Sequence, residues 1–206
     1  TFSTNLEAYV GDALVSLTIC ALIISGGLGF IVFRDLGMRL RGTKKRLTTH
    51  SRIVLSVTLC LLVAGSLLFF WLERRHGMRD LPFGSKVLAS LFLSTTPRTA
   101  GFDTLNPASL GHASTLLTIL LMFIGASPGS TGGGVKTTTF FIVLLVVLKG
   151  ADEEGRVSLG SRSLGINSII KAFGVVGKGL LIVIASTTAI LLLERGQVAS
   201  GGGSLV

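Results

Sequence analysis

Charged residues are scarce in this chain, and four long stretches contain none of them. Asp, Glu, Lys and Arg make up only 14% of the 206 residues, whereas 49% are hydrophobic and the mean hydropathy is +0.74. The uncharged stretches cover residues 13–33, 53–72, 113–134 and 180–193. Three of them meet or approach the ~20 residues that a helix needs to cross a bilayer. The fourth reaches this length if residues 174–179 join it, with Lys178 near an end where its side chain extends to the interface.

Polar residues at helical spacing are also missing from these stretches. A helix on the surface of a soluble protein carries polar side chains along one face, and these segments do not. The sequence therefore predicts an all-α membrane protein with several spans. Its two cysteines, Cys20 and Cys60, lie within spans and have no partner at a metal-binding or redox spacing, so we interpret them as small apolar core residues.

Acidic residues are about half as common as basic ones, 10 against 19, and the net charge is +9. Seven basic residues lie between the first two spans and five between the last two, whereas six lie on the opposite side. An excess of basic residues in short loops marks the cytoplasmic side of a membrane. Nucleic-acid binding is the other explanation, but no aromatic residues are interleaved with the basic runs. We therefore attribute the charge to membrane topology and expect no nucleic-acid partner.

An initiating methionine and a recognisable signal peptide are both absent, and we expect residues of the same protein on both sides of the chain. An internal repeat with an offset close to 100 residues agrees with this expectation. The Phe-X-Thr segments at 2–4 and 102–104 each precede a span, which starts at residue 13 in one case and at 113 in the other. The chain then begins just after one pore loop and contains a second.

The second pore loop is predicted from a short apolar helix and the polar segment after it. Residues 83–94 have helical spacing but are too few to cross a bilayer, and Pro97 stops the helix. A half-helix entering from outside directs its partial negative charge towards the membrane centre, which favours a cation there. Carbonyl groups of an extended segment replace the hydration shell of potassium, and Gly101 permits the torsions needed. An ordinary turn between two helices is the alternative.

Arg98, next to this segment, needs either solvent or a carboxylate partner. Glu73, Asp80 and Asp103 are the available carboxylates, and the sequence does not choose between them and a solvated arginine.

The third span is interrupted near its middle. Residues 125–136 contain five glycines and a proline, a composition that cannot sustain a helix. Irregular backbone at membrane depth is tolerated only where it is buried in protein or lines water, so we expect this segment to face a pore. A phosphate-binding P-loop is excluded, because Val135 separates Gly134 from Lys136 and the flanks are apolar runs of membrane length.

Two segments, TTPRTAGFDT at 95–104 and MFIGASPGSTGGGVKTTT at 122–139, resemble the Trk/Ktr family of bacterial potassium uptake channels. The resemblance implies helix–pore-loop–helix repeats around one pore, and it implies a selectivity filter at Thr99, Ala100, Gly101 and Phe102. The first three of these residues would bind the potassium ion. It also implies an intramembrane gate beneath the filter. The gate residues are Gly125, Ala126, Ser127, Pro128, Gly129, Ser130, Thr131, Gly132, Gly133, Gly134 and Lys136.

The same resemblance divides the chain and suggests its partners. Residues 1–52 correspond to the end of one repeat and a basic cytoplasmic loop, 53–150 to a complete repeat, and 151–206 to a cytoplasmic linker and the first helix of the next repeat. We expect a multi-pass protein of the bacterial inner membrane in contact with lipid. A homodimer associated with a cytosolic nucleotide-binding regulatory subunit is also implied. Potassium is the only cofactor expected, with no organic cofactor on this chain.

Two other classes of function also use broken helices or polar groups within the membrane. An ion-coupled carrier also uses broken helices at the membrane midplane. An intramembrane enzyme needs catalytic groups at the glycine-rich break, where only Ser127, Ser130 and Lys136 are available. The sequence favours a channel that is not an enzyme, and it leaves open the choice between potassium and sodium and any coupling to protons or sodium.

Overall fold

The computed structural model describes residues 5–43, 46–150, 152, 156–159 and 162–200. It divides into two compact units, one ending at Phe141 and the other starting at Ile142. Helices dominate both units, and the predicted all-α class is confirmed. The α-helices are α1 (Ala13–Leu28), α2 (Phe30–Leu40), α3 (Thr49–Glu73), α4 (Phe83–Thr95), α5 (His112–Phe123), α6 (Thr137–Lys149) and α7 (Ile166–Ser200).

Two helices among the described residues are long and apolar enough to cross a membrane. They are α3 and the part of α7 from Ile166 to Leu193, and a third span results if α1 and α2 are counted together. The apolar helices α4, α5 and α6 are shorter, with 12 or 13 residues each. At 1.5 Å per residue, a helix of this length extends only about 20 Å, which is less than the ~30 Å of the hydrocarbon core.

The first span is bent, and the prediction of a continuous span through residue 33 was wrong. α1 ends at Leu28, and α2 continues at 98° to it. Gly29 makes the bend with a φ of +82°, a torsion that L-residues with a side chain rarely adopt. The basic segment between the first two predicted spans is also partly helical, since α2 runs to Leu40 and α3 starts at Thr49.

A buried carboxylate connects α2 to the start of α3. The Asp35 side chain is 1% exposed and accepts hydrogen bonds from the hydroxyls of Thr48 and Ser51, the latter at 2.6 Å. Thr48 is also the N-cap of α3 and accepts a hydrogen bond from the Ser51 N–H. Because a buried carboxylate requires such donors, these contacts fix the course of α2 after the bend.

α3 and α4 form a tightly packed helical hairpin. The buried hydroxyl of Ser94 donates to the carbonyls of Leu61 and Leu62, at 3.3 and 3.1 Å. Gly65 of α3 faces the same hydroxyl, and a Cβ atom there would lie 2.3 Å from Ser94 Oγ. The absence of a side chain at Gly65 therefore lets α4 approach α3 closely.

The core of the first unit lies between α3, α4 and α5. Its buried hydrophobic residues are Phe69, Met78, Ala89, Leu93, Leu105 and Leu121. The fully buried Glu73 closes the core at the end of α3, where its carboxylate accepts from the N–H groups of Gly77 at 3.0 Å and Gly111 at 2.9 Å. This carboxylate connects the turn after α3 to the start of α5.

The second unit contains a small hairpin that the sequence did not predict. Strands β1 (Val157–Leu159) and β2 (Arg162–Leu164) pair antiparallel, with Val157 opposite Leu164. α7 follows and begins at Ile166, well before the predicted start at residue 174. Three residues per strand do not change the all-α class.

The close approach at Gly65 generates a stability prediction. We expect Gly65→Ala to lower the free energy of unfolding by up to about 2 kcal/mol. Overpacking against Ser94 costs about 1–3 kcal/mol, and the gain in helix propensity within α3 offsets up to ~1 kcal/mol of this cost. Gly37→Ala in α2 is the matched control, since no atom lies within 4 Å of a Cβ there. The control should be neutral or stabilising by up to ~1 kcal/mol through helix propensity. Unfolding of the purified full-length protein in detergent measures both, and equal stability of the two variants would contradict the packing.

Candidate functional site

The segment after α4 is a compact loop with an unusual backbone. The carbonyl of Thr96 accepts from the N–H groups of Ala100 at 3.1 Å and Gly101 at 3.4 Å, and the Thr96 hydroxyl donates to the carbonyl of Phe102. Thr99 and Gly101 have φ values of +72° and +73°. Such torsions suit glycine, but at a non-glycine residue they cost of order 1–3 kcal/mol. The loop therefore holds Thr99 in a strained conformation, a feature that clusters at functional sites.

Thr99 lies directly against the glycine-rich loop. A Cβ atom on Gly132 would lie 2.7 Å from Thr99 Oγ1 and 2.4 Å from the Cβ atom of Ala126. The next residue, Gly133, has more room, because a Cβ atom on it would lie 3.8 Å from Thr99 Cγ2. The structure thus brings the two predicted site segments together, and only glycine fits at 132.

A cavity of about 330 Å³ lies where these segments meet. Three segments of the chain form its described wall: the loop after α4, the glycine-rich loop and the end of α1. They are Arg98, Thr99, Ala100, Phe102, Thr131, Gly132, Leu22, Ile23, Gly26 and Gly27. Three of the four predicted filter residues therefore line the cavity, whereas Gly101 is not part of this wall.

The glycine-rich loop connects α5 to α6, and its two ends are hydrogen-bonded to each other. Ile124 and Val135 pair as a parallel bridge, and the N–H of Gly125 donates to the carbonyl of Val135 at 3.0 Å. The N–H of Ala126 donates to the carbonyl of Gly133 at 3.1 Å. A side chain on Gly125 is impossible, because its Cβ would lie 1.7 Å from the Gly133 oxygen. Both ends of the loop are therefore held side by side.

Polar side chains stabilise the interior of this loop. Ser127 and Thr137 are fully buried, and the Thr137 hydroxyl donates to Ser127 Oγ at 3.0 Å. Ser130 donates through its N–H to the Ser127 carbonyl at 3.2 Å. The ammonium group of Lys136, half-buried, donates to the carbonyl of Gly132 at 2.7 Å. The positive charge of Lys136 is therefore turned into the loop, towards the residue that contacts Thr99.

The loop also caps the C-terminal end of α1. Thr131 donates to the Gly26 carbonyl through both its N–H and its hydroxyl, each at 3.3 Å, and the N–H of Ser127 donates to the Gly27 carbonyl at 3.0 Å. The last carbonyls of a helix have no partner within the helix. The carbonyls at the end of α1 and the N–H groups of the loop are therefore hydrogen-bonded to each other.

The bend after α1 fits the tip of the loop. A Cβ atom on Gly29 would lie 2.7 Å from the carbonyl oxygen of Pro128, and one on Gly129 would lie 3.0 Å from the ring of Phe30. The N–H of Phe30 donates to the Gly129 carbonyl at 3.1 Å. Gly129 has a φ of +74°, close to the +82° of Gly29.

The residues from Gly26 to Gly29 were not among the predicted site residues. Two signals in the sequence could have found them: their own glycine content and the 100-residue repeat. An offset of 100 residues equates Gly29 with Gly129, the two glycines that face each other. α5 itself ends at Phe123, five residues before the position equivalent to the end of α1 at Leu28, so the offset relates the two glycines and not the two helix ends.

Arg98 is buried rather than solvated. Its side chain is 7% exposed, and within the described residues its Nε atom has no hydrogen-bond partner. Of the carboxylates considered for it, Glu73 is bonded to backbone N–H groups. Asp103 lies 3.5 Å from the amide nitrogen of Asn5. Partial burial raises the pKa of the Asp103 carboxyl, and the contact with Asn5 acts in the opposite direction.

Comparisons with known proteins identify a family and several relatives. Residues 1–195 match the family model TrkH, described as a cation transport protein. The chain is 37% identical over 193 residues to the Ktr system potassium uptake protein B of Bacillus subtilis. The aligned region covers 93% of this chain and 43% of that protein. It is 40% identical over 132 residues to the potassium/sodium uptake protein NtpJ of Enterococcus hirae, covering 59% of this chain and 29% of that one.

A solved structure shares the fold. The potassium transporter TrkH from Vibrio parahaemolyticus superposes with a TM-score of 0.69 and 17% sequence identity, over 97% of this chain and 42% of that one. The chain thus spans less than half the length of each of these three proteins.

The contact between the two loops predicts that alanine substitutions at two neighbouring glycines, Gly132 and Gly133, have very different effects on stability. We expect Gly132→Ala to lower the free energy of unfolding by about 1–3 kcal/mol, because its methyl group overlaps both Ala126 and Thr99. Gly133→Ala is the control, since its methyl group makes only an ordinary contact with Thr99. Thermal unfolding of the purified full-length protein in detergent compares them. A control that is destabilised as strongly as Gly132→Ala would show that the loop does not lie on Thr99.

Proposed function

The chain belongs to the TrkH family of cation transport proteins, and on that premise we propose that it supplies part of a potassium-conducting pore. The family match confirms the Trk/Ktr resemblance. It supports a multi-pass protein of the bacterial inner membrane that is an ion transporter rather than an enzyme. The proposal itself rests on one observation, the contact between Thr99 and Gly132 at a shared cavity. It assigns the filter to one side of this contact and the gate to the other.

The filter in this proposal is the loop formed by Thr99, Ala100, Gly101 and Phe102. It directly follows the C-terminal end of α4, where the helix dipole places a partial negative charge. Backbone carbonyls are the ligands that replace the water around a potassium ion. The hydrogen bonds to the Thr96 carbonyl and the left-handed torsions at Thr99 and Gly101 support a loop whose carbonyl directions are fixed in advance.

The gate is the loop from Gly125 to Lys136. Its place beside Thr99 and its share in the cavity wall support a role in obstructing ions that leave the filter. Opening requires the loop to move away from Thr99 and to release the carbonyls of Gly26 and Gly27. The bond between Lys136 and Gly132 holds the loop in its closed shape and places a positive charge near the path.

A carrier remains the second candidate, because one specific observation favours it. Helices α1 and α5 are both discontinuous, since α1 ends at Leu28 before a bend and α5 ends at Phe123 before the glycine-rich loop, as in carriers built with discontinuous helices. The two mechanisms differ in the number of ions moved per conformational cycle. Single-channel recording from the full-length protein in a planar bilayer separates them, since only a channel gives unitary current steps.

The proposed partners follow from the family resemblance. We expect a homodimer in the membrane and a cytosolic nucleotide-binding subunit that regulates the gate. Helix α2 leaves the bend at Gly29 and carries Arg34, Arg39 and a buried contact to α3 through Asp35. A force on α2 from the cytosolic side would thus reach Gly29 and the loop tip at Gly129.

Substitution of the filter glycine tests the conduction path. We expect Gly101→Asp to abolish potassium uptake, because its carboxylate binds the cation too tightly and a side chain at a φ of +73° adds backbone strain. Gly84→Asp is the control, since it makes the same change at the exposed start of α4, where an acidic residue is tolerated. Growth of a transport-deficient strain at limiting potassium is measured for equal amounts of membrane-inserted protein. Growth of the Gly101→Asp strain at the wild-type rate would remove the filter from the path.

Loosening the loop from α1 tests the gate. Thr131→Val removes the hydroxyl that bonds to Gly26, and Thr131→Ser retains it. One neutral hydrogen bond contributes about 0.5–1.5 kcal/mol, so we expect the valine variant to raise potassium flux in the absence of the regulator about 2- to 10-fold. The serine variant should behave as wild type. Flux is measured in liposomes per folded protein, and a valine variant with reduced flux and unchanged regulation would show that the loop is a structural element only.

A further inference from the structure

An apolar groove runs along the outer surface of the α3–α4 hairpin, away from the cavity of the candidate site. Its volume is about 490 Å³. α3 contributes Leu59, Leu67 and Phe70 to its wall, and α4 contributes Phe83, Val87 and Leu91. Most of these side chains are well exposed: Leu67 is 65% exposed and Phe83 is 72% exposed. The rings of Phe70 and Phe83 meet edge to face at one end, with centroids 5.9 Å apart.

The length of the groove matches one leaflet of a bilayer. Leu59 and Phe70 are eleven residues apart on a continuous helix, which corresponds to about 16 Å at 1.5 Å per residue. The hydrocarbon core of a bilayer is ~30 Å thick, so one leaflet accounts for about 15 Å. A single acyl chain therefore fits along the groove from end to end.

Two basic residues lie near the end of the groove that is marked by the two phenylalanines. Arg74 follows Phe70 by four residues at the C-cap of α3, and Lys86 follows Phe83 by three residues on α4. Residues four apart share one face of a helix, so Arg74 continues the α3 wall. Lys86 lies between Phe83 and Val87 along α4, and its ammonium reaches back to the turn before the helix, where it donates to the Arg79 carbonyl. Trp71, 64% exposed, lies at the same level, where aromatic residues mark the boundary between lipid and water.

The charge at this end is positive. Residues 74–86 contain four basic side chains, with Asp80 as the single acidic one. The buried Glu73 next to Arg74 adds a second negative charge, so residues 73–86 carry a net charge of +2 with His76 neutral. The Lys86 ammonium donates to the Arg79 carbonyl at 3.2 Å, which leaves two of its three N–H donors available.

We propose that this groove binds one acyl chain of an anionic phospholipid, with the phosphate group between Arg74 and Lys86. The apolar walls account for the chain, and the two cations account for selection of an anionic headgroup over a zwitterionic one. The bound lipid would cover the surface of α4 and press this helix against α3. This site is independent of the conduction path, since none of its residues lines the cavity next to Thr99.

Photo-crosslinking to the purified full-length protein tests the site. The probes are phosphatidylglycerol and phosphatidylethanolamine that carry the same photoreactive acyl chain, and mass spectrometry identifies adducts within residues 59–91. We expect phosphatidylglycerol to give at least a threefold higher yield of adducts there. The double variant Arg74→Gln with Lys86→Gln should abolish this preference. The double variant Arg39→Gln with Arg41→Gln, an equal loss of charge at the end of α2, should retain it.

A third variant separates the groove from the charges. Leu67→Trp adds bulk to the exposed wall without changing the charge, and we expect it to reduce adducts from both lipids. Equal adduct yields for both lipids in the wild type would overturn the selection of an anionic headgroup. An absence of adducts in residues 59–91 would show that another part of the full-length protein covers the groove, and would overturn the proposal altogether.

Discussion

The structure depends on one constraint: backbone groups inside a membrane need partners within the protein. The glycine-rich loop leaves the helical pattern between α5 and α6, and its N–H groups find partners in its own ends and in α1. The carbonyls of Gly26 and Gly27 would lack partners at the end of α1, and Ser127 and Thr131 supply them. The break in one helix is therefore stable only because the break in the other lies against it.

Glycine is required here for close approach more than for flexibility. Gly125 and Gly132 do not have left-handed torsions, yet a side chain at either position would overlap neighbouring atoms. The resulting loop is compact, with Ser127 and Thr137 fully buried. A packed loop of this kind has a defined closed position, which a gate requires. The glycine-rich composition suggests a flexible segment, but the loop is rigidly packed.

The sequence predicted features that depend on local pattern and missed those that depend on distant contacts. The short helix expected at 83–94 is observed as Phe83–Thr95, because helix length and a following proline are local signals. The bend at Gly29 depends on a loop about 100 positions away along the chain, and the burial of Arg98 depends on the packing around it. A hydropathy pattern does not contain information about such contacts, so residues 13–33 were predicted as a single span. The assignments of the filter and the gate remain predictions.

Gly29 and Gly129 correspond to each other in the 100-residue internal repeat and also lie close together in the structure. The two glycines have φ values of +82° and +74°. A Cβ atom on Gly29 would lie 3.0 Å from the carbonyl carbon of Gly129, and one on Gly129 would lie 3.0 Å from the ring of Phe30. A movement of either break must therefore displace the other. If the glycine-rich loop gates the pore, the preceding repeat takes part in gating through α1 and α2, since the loop bonds to α1 at Gly26 and to the start of α2 at Phe30. Control of the gate is then distributed over two repeats rather than confined to the loop itself.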